Sequence, residues 1–326
     1  MSGTIPDVRI VVVTYFAESM LGPALEGLTA IAAAGAAECV VVDNASTDGT
    51  RDMLAATGDA VEARLSDENL GFGRGCNAGA EGFSGRYVLF LNPDATATPE
   101  TIRTLVAFMD EHPECGIAAP AIVEPDGELQ VFGGRTTPAS IIREAFGRRV
   151  SGRRPLEPGH APAEADWVCG AALMIRRELF EAIGGFDPRY FLYFEETDLC
   201  RRAQLAGFRI FGVGEAVATH DAGASARASE RTLYAGCIAE HYFESRFHYL
   251  ASHHGTLAAV AAHLLELPVL LARDVASRLR GRPGGRLAAR LSGPLFRRPP
   301  QRASDDAVAQ HAAARATIGT PRGAAP

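Results

Sequence analysis

The chain has 326 residues, a formal net charge of -7, 47% hydrophobic and 22% charged residues, and no lysine. It is long enough to bury a core without disulfide or metal staples, and its composition excludes collagen, coiled coil and wholesale disorder. The acidic balance argues against a general nucleic-acid binder, and the missing lysine closes Schiff-base and P-loop chemistry.

In chain order, residues 9–14 form a short β-branched run with the signature of a buried parallel strand. A helical pattern covers 19–34, and a second strand is predicted over Cys39–Asp43. Asn44–Thr50 supplies turn and capping residues before another helix. Val61–Leu65 reads as a strand, Gly73–Phe83 as a helix, Arg86–Leu91 as a strand, Pro99–Glu111 as a helix and Gly116–Pro120 as a strand. Repeated βα units predict an α/β sheet with helices on both faces. Residues 124–166 are rich in Pro, Gly and Arg and read as long loops. Strand Val168–Ile175, helices Glu178–Ile183 and Glu195–Ala206, and strand Ile210–Val213 follow. Residues 230–280 read as helical, with Pro268 expected to kink or break the pattern. The organisation expected is a catalytic domain over 1–228, a helical region over 229–298 and a disordered tail over 299–326.

The six cysteines are scattered without CxxC or zinc spacing and read as reduced core thiols of a cytoplasmic protein. The N-terminus lacks the pattern of a signal peptide. The apolar stretch Thr256–Ala272 is shorter than a span needs and holds His263, Glu266 and Pro268, so it reads as non-spanning. Nine Arg and one Asp lie between Arg273 and Arg302, a basic tail on an acidic body. Two readings of this region stand side by side. One is a helix lying on the anionic inner face of the cytoplasmic membrane; the other is an appendix packed on the catalytic domain or on the partner of a homodimer.

The turn after the first strand, Thr14–Ser19, has no glycine, which argues against a dinucleotide cofactor. Asp43, Asn44, Ser46 and Asp48 follow the second strand. They suit either a nucleoside's imide and hydroxyls or the capping of the next helix. Four glycines between Gly71 and Gly79, with Asn69, Arg74 and Asn77, suit either a close ligand or tight helix-on-sheet packing. Asp94 follows a strand and could hold Mg²⁺ or Mn²⁺ beside a diphosphate, or merely form a turn. Glu195, Glu196 and Asp198 open a helix behind an aromatic run, where a raised pKa suits a general base and an acidic first turn is the plain alternative.

Together these pieces resemble family 2 glycosyltransferases of the GT-A fold, in the bacterial rhamnosyltransferase-like branch. The matching motifs are Val-Thr-Tyr at 13–15, Val-Asp-Asn-Ala-Ser-Thr-Asp-Gly-Thr at 42–50, and Asn-Leu-Gly-Phe-Gly at 69–73 with Asn77. They continue with Asn-Pro-Asp at 92–94, Trp-Val-Cys-Gly-Ala at 167–171, Gly-Gly-Phe-Asp at 184–187, Phe-Leu-Tyr-Phe-Glu-Glu-Thr-Asp-Leu at 191–199, and His220. The resemblance implies a mixed sheet flanked by helices, an inverting mechanism, a nucleotide-diphosphate sugar donor (rhamnose first) and a cell-surface polysaccharide or lipid-linked acceptor. By it, Thr14, Tyr15, Asp43 and Asn44 hold the nucleotide, and Asn69, Gly71, Arg74 and Asn77 line the donor. Asp94 and His220 bind a divalent cation and Glu196 is the base. Trp167, Gly170, Glu195 and Asp198 face the sugar or acceptor. Two positions depart from the pattern: Asn92 stands where a first metal-binding acid is common, and Glu196 where Asp is common. A UDP-sugar donor, a sugar nucleotidyltransferase and a non-catalytic nucleotide-sugar-binding subunit are the competing readings. The nucleotidyltransferase lacks its Gly-rich basic loop here.

Overall fold

The computed structural model describes residues 7–148, 152–221, 237–281 and 286–292. Its centre is a nine-stranded mixed sheet. Strand β1 (Val8–Thr14) pairs in parallel with β2 (Glu38–Asn44) and β4 (Tyr87–Leu91), and β2 with β3 (Glu62–Ser66). Beyond β4 the direction reverses. β10 (Ala172–Arg176) is antiparallel to β4 and to β6 (Cys115–Val123), which runs parallel to β11 (Arg209–His220). Short strands β5 (Ala95–Thr96) and β9 (Ala163–Ala165) flank β11, and β7 (Val131–Phe132) with β8 (Arg154–Pro155) forms a separate ribbon.

The β-branched run of β1 is buried on both faces, as a central parallel strand must be. Val8, Ile10 and Val12 join one core, with α1 (Leu21–Ala33) and α4 (Pro99–Glu111). Val11 and Val13 join the other, with α3 (Phe72–Ala80), α6 (Arg177–Ala182) and α7 (Glu195–Leu205). Helix α2 (Thr50–Ala55) covers the turn after β2. The GT-A-type plan of a mixed sheet between helical layers is therefore as expected.

Four local expectations are corrected. The stretch 124–166 is not all loop: it holds α5 (Pro138–Ala145), started by a Thr137 capping box with Pro at its first position, and the short strands β7 to β9. The strand expected from Val168 starts only at Ala172, because 167–171 form the turn that enters the sheet. β11 runs twelve residues to His220, with a register shift between Val213 and Val217 that carries it past the expected end. Pro268 does not break its helix: α8 (Cys237–His254) and α9 (Thr256–Leu279) are separated at Gly255, whose φ of 87° suits glycine. With 24 residues, α9 is also long and apolar enough to cross a membrane, so length alone no longer argues against a span. A short α10 (Arg286–Ser292) follows, and the expected tail over 299–326 lies outside the described residues.

Ile141 of α5, Tyr190, and residues of α8 and α9 form a third core. The helical region thus packs onto the segment that leads into α7. Cys39, Cys76, Cys115, Cys169 and Cys200 are free thiols; the side chain of Cys237 lies outside the described residues.

Candidate active site

One edge of the sheet collects the chemistry. Thr14 pairs in register with Asp43, and Val12 with Leu91. The residues following β1, β2 and β4 therefore emerge side by side. Because β10 is antiparallel and Ala172 faces Leu91, the stretch 167–171 reaches the same edge, and Asn92 N–H donates to Ala171 O at 2.9 Å. His220, at the end of β11, pairs with Ala95.

At the β1 and β2 ends, Thr14, Asp43 and Asn44 are buried. Asp43 Oδ2 accepts from Ser46 N–H at 3.1 Å and from Arg51 Nε at 2.7 Å. Asp43 Oδ1, Thr14 Oγ1 and Asn44 Oδ1 have no partner among the described residues. A buried polar atom left unpaired costs about 1–3 kcal/mol, so three on adjacent strand ends mark a place built for a polar ligand. Phe16 and Ala45, just past these strands, hold left-handed backbone conformations with φ of 50° and 64°. Tyr15 is half exposed and free to cover a ring.

The glycine-rich segment divides between the two roles open in the sequence. Asn69 Oδ1 accepts from Gly71 N–H, and Asn44 Nδ2 donates to Gly71 O at 3.2 Å, so this turn borders the strand-end pocket. At Gly71 φ is 79° and a Cβ would meet Phe191 O at 2.5 Å; only glycine fits. Gly75 and Gly79 serve close packing of α3 on Val13 and Val11. Asn77 belongs to the expected donor-lining set. Its Nδ2 donates to Phe186 O at 2.8 Å and its Oδ1 accepts from Phe186 N–H at 2.9 Å, so both amide atoms tie α3 to the 184–187 turn. Arg74 belongs to the same expected set. It pairs with Glu68 at 3.5 Å and lines, with Asn77 and Arg177, a cavity that shares no residue with the one beside Asp94.

Asp94 Oδ1 and His220 Nε2 lie 3.0 Å apart, both nearly buried, and they line a cavity of about 560 Å³ with Ser19, Met20 and Pro23. Asn92 Nδ2 is 3.3 Å from the same Nε2, and Gln130 Nε2 is 2.5 Å from His220 Nδ1. Gln130 Oε1 accepts from the Cys169 thiol at 2.9 Å. Gln130 carries no sequence motif and sits in a segment that reads as loop, so sequence reasoning missed it. Burial pushes the Cys169 thiol up to about 12, with the charges of Glu196, Glu124 and Asp94 adding to it. Cys169 is thus linked through Gln130 to His220 and feels the charges of both Glu196 and Asp94.

Tyr193 and Phe194, at φ of 70° and 67°, form a left-handed step that starts α7 and delivers the acids. Glu195 is buried, with Oε2 unpaired. Glu196 is half-buried against Gly170, where a Cβ would come within 3.4 Å of its Cγ, and it accepts from Thr197 Oγ1 at 3.1 Å. Burial raises both carboxyl pKa values, and the charge on Glu196 raises Glu195 further. Of the two, Glu195 is pushed up further, so Glu196 is the easier to ionise.

Asp198 belongs to the expected acceptor-facing set. It is fully buried, with Arg202 Nε donating at 2.6 Å and His253 Nε2 lying at 2.7 Å. Burial alone would raise its pKa, but these partners outweigh it and hold the carboxylate well below its usual range. Asp198 anchors α7 to α8. Trp167 donates its indole N–H to Gly134 O at 2.9 Å, which orients the ring at the entrance of the 167–171 turn.

The family model described as Glycosyl transferase family 2 matches residues 9–184, more than half of the chain. The chain belongs to glycosyltransferase family 2. The transferase is 32% identical over 238 residues to the N-acetylglucosaminyl-diphospho-decaprenol L-rhamnosyltransferase of Mycobacterium tuberculosis, covering 65% of this chain and 75% of that one. It is 28% identical to the rhamnosyltransferase WbbL of Escherichia coli, over 51% of this chain and 61% of that one. The structure of GalNAc-T7 with UDP, GalNAc and Mn²⁺ superposes with a TM-score of 0.54 at 15% identity, covering 74% of the transferase and 47% of that chain. The mannosyltransferase PcManGT of Pyrobaculum calidifontis superposes at 0.50 with 17% identity, covering 89% and 87%. These two likenesses concern the fold.

Proposed function

We propose that the transferase moves a sugar, rhamnose first, from a nucleoside-diphosphate donor to a hydroxyl of a lipid-linked or polysaccharide precursor, with inversion, at the cytoplasmic membrane face. The observation that carries the reading is the acid pair: a half-buried carboxylate, Glu196, kept basic by burial, at the same edge of the sheet as the Asp94–His220 pair, with both Glu196 and Asp94 acting on Cys169. The unpaired oxygens of Thr14, Asp43 and Asn44 supply the place for the nucleoside. The rhamnosyl donor and the lipid-linked acceptor rest on the relatives' activities.

In this reading Glu196 takes the acceptor hydroxyl's proton as that oxygen bonds to the anomeric carbon. The bond from that carbon to the diphosphate breaks on the opposite face. Glu195, the harder of the two to ionise, keeps a second negative charge away from the base. Asp94 and His220 fit a divalent cation shared with the diphosphate, since Mg²⁺ or Mn²⁺ takes one or two protein groups and completes its shell with phosphate and water. No cluster of three or more potential metal-ligating side chains occurs among the described residues, consistent with such a shared site. When bound, the cation supplies charge neutralisation to the leaving diphosphate.

Calorimetric titration of dTDP, UDP and GDP, each with and without Mn²⁺ or Mg²⁺, tests the donor side, and NMR of the product's anomeric configuration tests inversion. Metal-dependent preference for dTDP and an inverted product are expected. Preference for UDP would replace the donor, a retained configuration would remove Glu196 as base, and binding of none of the three would favour a non-catalytic subunit.

A further inference from the structure

Helix α9 is amphipathic in the reverse sense of a surface helix. Its buried residues include His263, Glu266 and Asp274. Glu266 is held by Arg246 at 3.1 Å and lies 3.4 Å from Arg290, Arg290 Nη2 is 2.5 Å from His263 Nδ1, and Asp274 Oδ2 accepts from Leu287 N–H at 3.0 Å. The outward side is apolar. Leu257, Leu264, Leu265, Leu271, Val275 and Leu279 are each at least half exposed, and Ala261, Pro268 and Ala272 between them are exposed too. At 3.6 residues per turn these nine positions fall within an arc of about 120° that holds no charge, over a length of roughly 33 Å. Isolated surface leucines need no explanation, but a continuous face of this size marks an interaction site.

The charge around this face indicates what covers it. Arg278 and Arg280 are exposed at its C-terminal end. Arg143 and Arg148 are exposed on and after α5, whose last carbonyls, Glu144 O and Ala145 O, accept from Arg273. The sequence from Arg273 to Arg302 carries nine Arg against one Asp, in a chain that is otherwise acidic. An apolar face with a cationic rim matches an anionic bilayer, where leucines enter the acyl boundary and arginines meet the headgroups. A second copy of the chain would bring the same arginines together. Crossing the bilayer would require Glu266 and Asp274 to leave their partners for hydrocarbon.

We infer that α9 lies in the plane of an anionic membrane surface and seats the transferase on it through Leu257, Leu264, Leu271, Val275 and Leu279. The purpose of this seat rests on the lipid-linked acceptor proposed above; the seat itself does not. Because α9 packs on α5 and α8, and α8 holds Asp198 through His253, the docked helix stands two contacts from the catalytic helix.

The test floats the full chain with phosphatidylcholine vesicles, with and without phosphatidylglycerol. It is repeated with Leu264→Asp/Leu271→Asp/Val275→Asp and with Arg278→Glu/Arg280→Glu. All five positions are exposed, and a thermal melt confirms that each variant folds. The native chain is expected to float only with the anionic vesicles. The apolar-face variant is expected to bind them roughly tenfold or more weakly, and the arginine variant to lose most of its salt-sensitive binding. The inference is overturned if the native chain fails to float, or if the face variant floats as well as it does. It is equally overturned if sedimentation shows the face variant turning a dimer into a monomer with vesicle binding unchanged. Sugar transfer to a water-soluble acceptor fragment is read separately: transfer without flotation removes the seat alone, and flotation without transfer removes the proposed reaction alone.

Discussion

Glu195 and Glu196 are consecutive, yet burial raises both carboxyl pKa values and the charge on Glu196 raises Glu195 further. If Glu196 is the base, Glu196→Gln lowers turnover by about 10²–10⁴-fold while calorimetry still finds the nucleotide bound. Glu195→Gln removes the carboxyl that is harder to ionise and keeps turnover within about tenfold. Equal losses in both variants would deny the division of roles. The same shift sets the pH dependence. A base works deprotonated, and burial raises the Glu196 pKa, so kcat/KM climbs with pH through a limb above the ordinary carboxylate value of about 4.3. A pH–rate profile that is flat from pH 5 upward, on a scale set by that carboxylate value, would contradict this.

At the scale of elements, two devices fix the site from behind. Helix α3 approaches the sheet so closely that a Cβ on Gly79 would lie 2.3 Å from Val11 Cγ1. Gly79→Ala gains up to about 1 kcal/mol of helix propensity but overpacks a buried contact at about 1–3 kcal/mol. A net loss in urea denaturation is expected. Helix α7 is held by the buried set Asp198, Arg202 and His253. Asp198→Asn leaves Arg202 buried without its counter-charge, at about 3–5 kcal/mol. Chemical denaturation measures this, and a change under about 1 kcal/mol would mean the pair contributes little, as surface pairs do.

Across the whole molecule, the helical region is joined to the catalytic part by an apolar core and by ions. Tyr190 and Ile141 pack among α8 and α9, and His253 of α8 reaches Asp198 of α7; within the helical region, Glu266 gathers Arg246 of α8 and Arg290 of α10. One carboxylate thus balances two buried guanidinium groups. Glu266→Gln is expected to destabilise the chain by about 3–5 kcal/mol, and a thermal melt reads it as a clear fall in Tm. Dissection of the chain at residue 228 would cut the shared apolar core and the Asp198–His253 contact, both of which bear on the segment that leads into α7 and on α7 itself.

Much was legible in the sequence because it depends on local patterns. Continuous apolar runs marked β1, β2 and β4, and helical patterning with its start and stop residues marked α4 and α7, since a central strand is buried on both faces and a helix on one. The ordered motifs ending in Asp43, Asp94, Glu196 and His220 carried the family, because catalytic groups sit at strand ends and helix starts that turn residues reveal. Other features required the tertiary structure. Asn77 and Asp198 look like ligand contacts in their motifs, but the partners that occupy them, Phe186 and His253, lie 109 and 55 residues away. Gln130 has no motif at all and acquires meaning only beside His220 and Cys169. The apolar repeat of α9 and a membrane-surface reading of it are legible in the sequence, but the direction in which that face points is not. A helical period shows that a helix has two sides, but which side meets protein is decided by where Arg246 and Arg290 stand, and only packing in three dimensions places them.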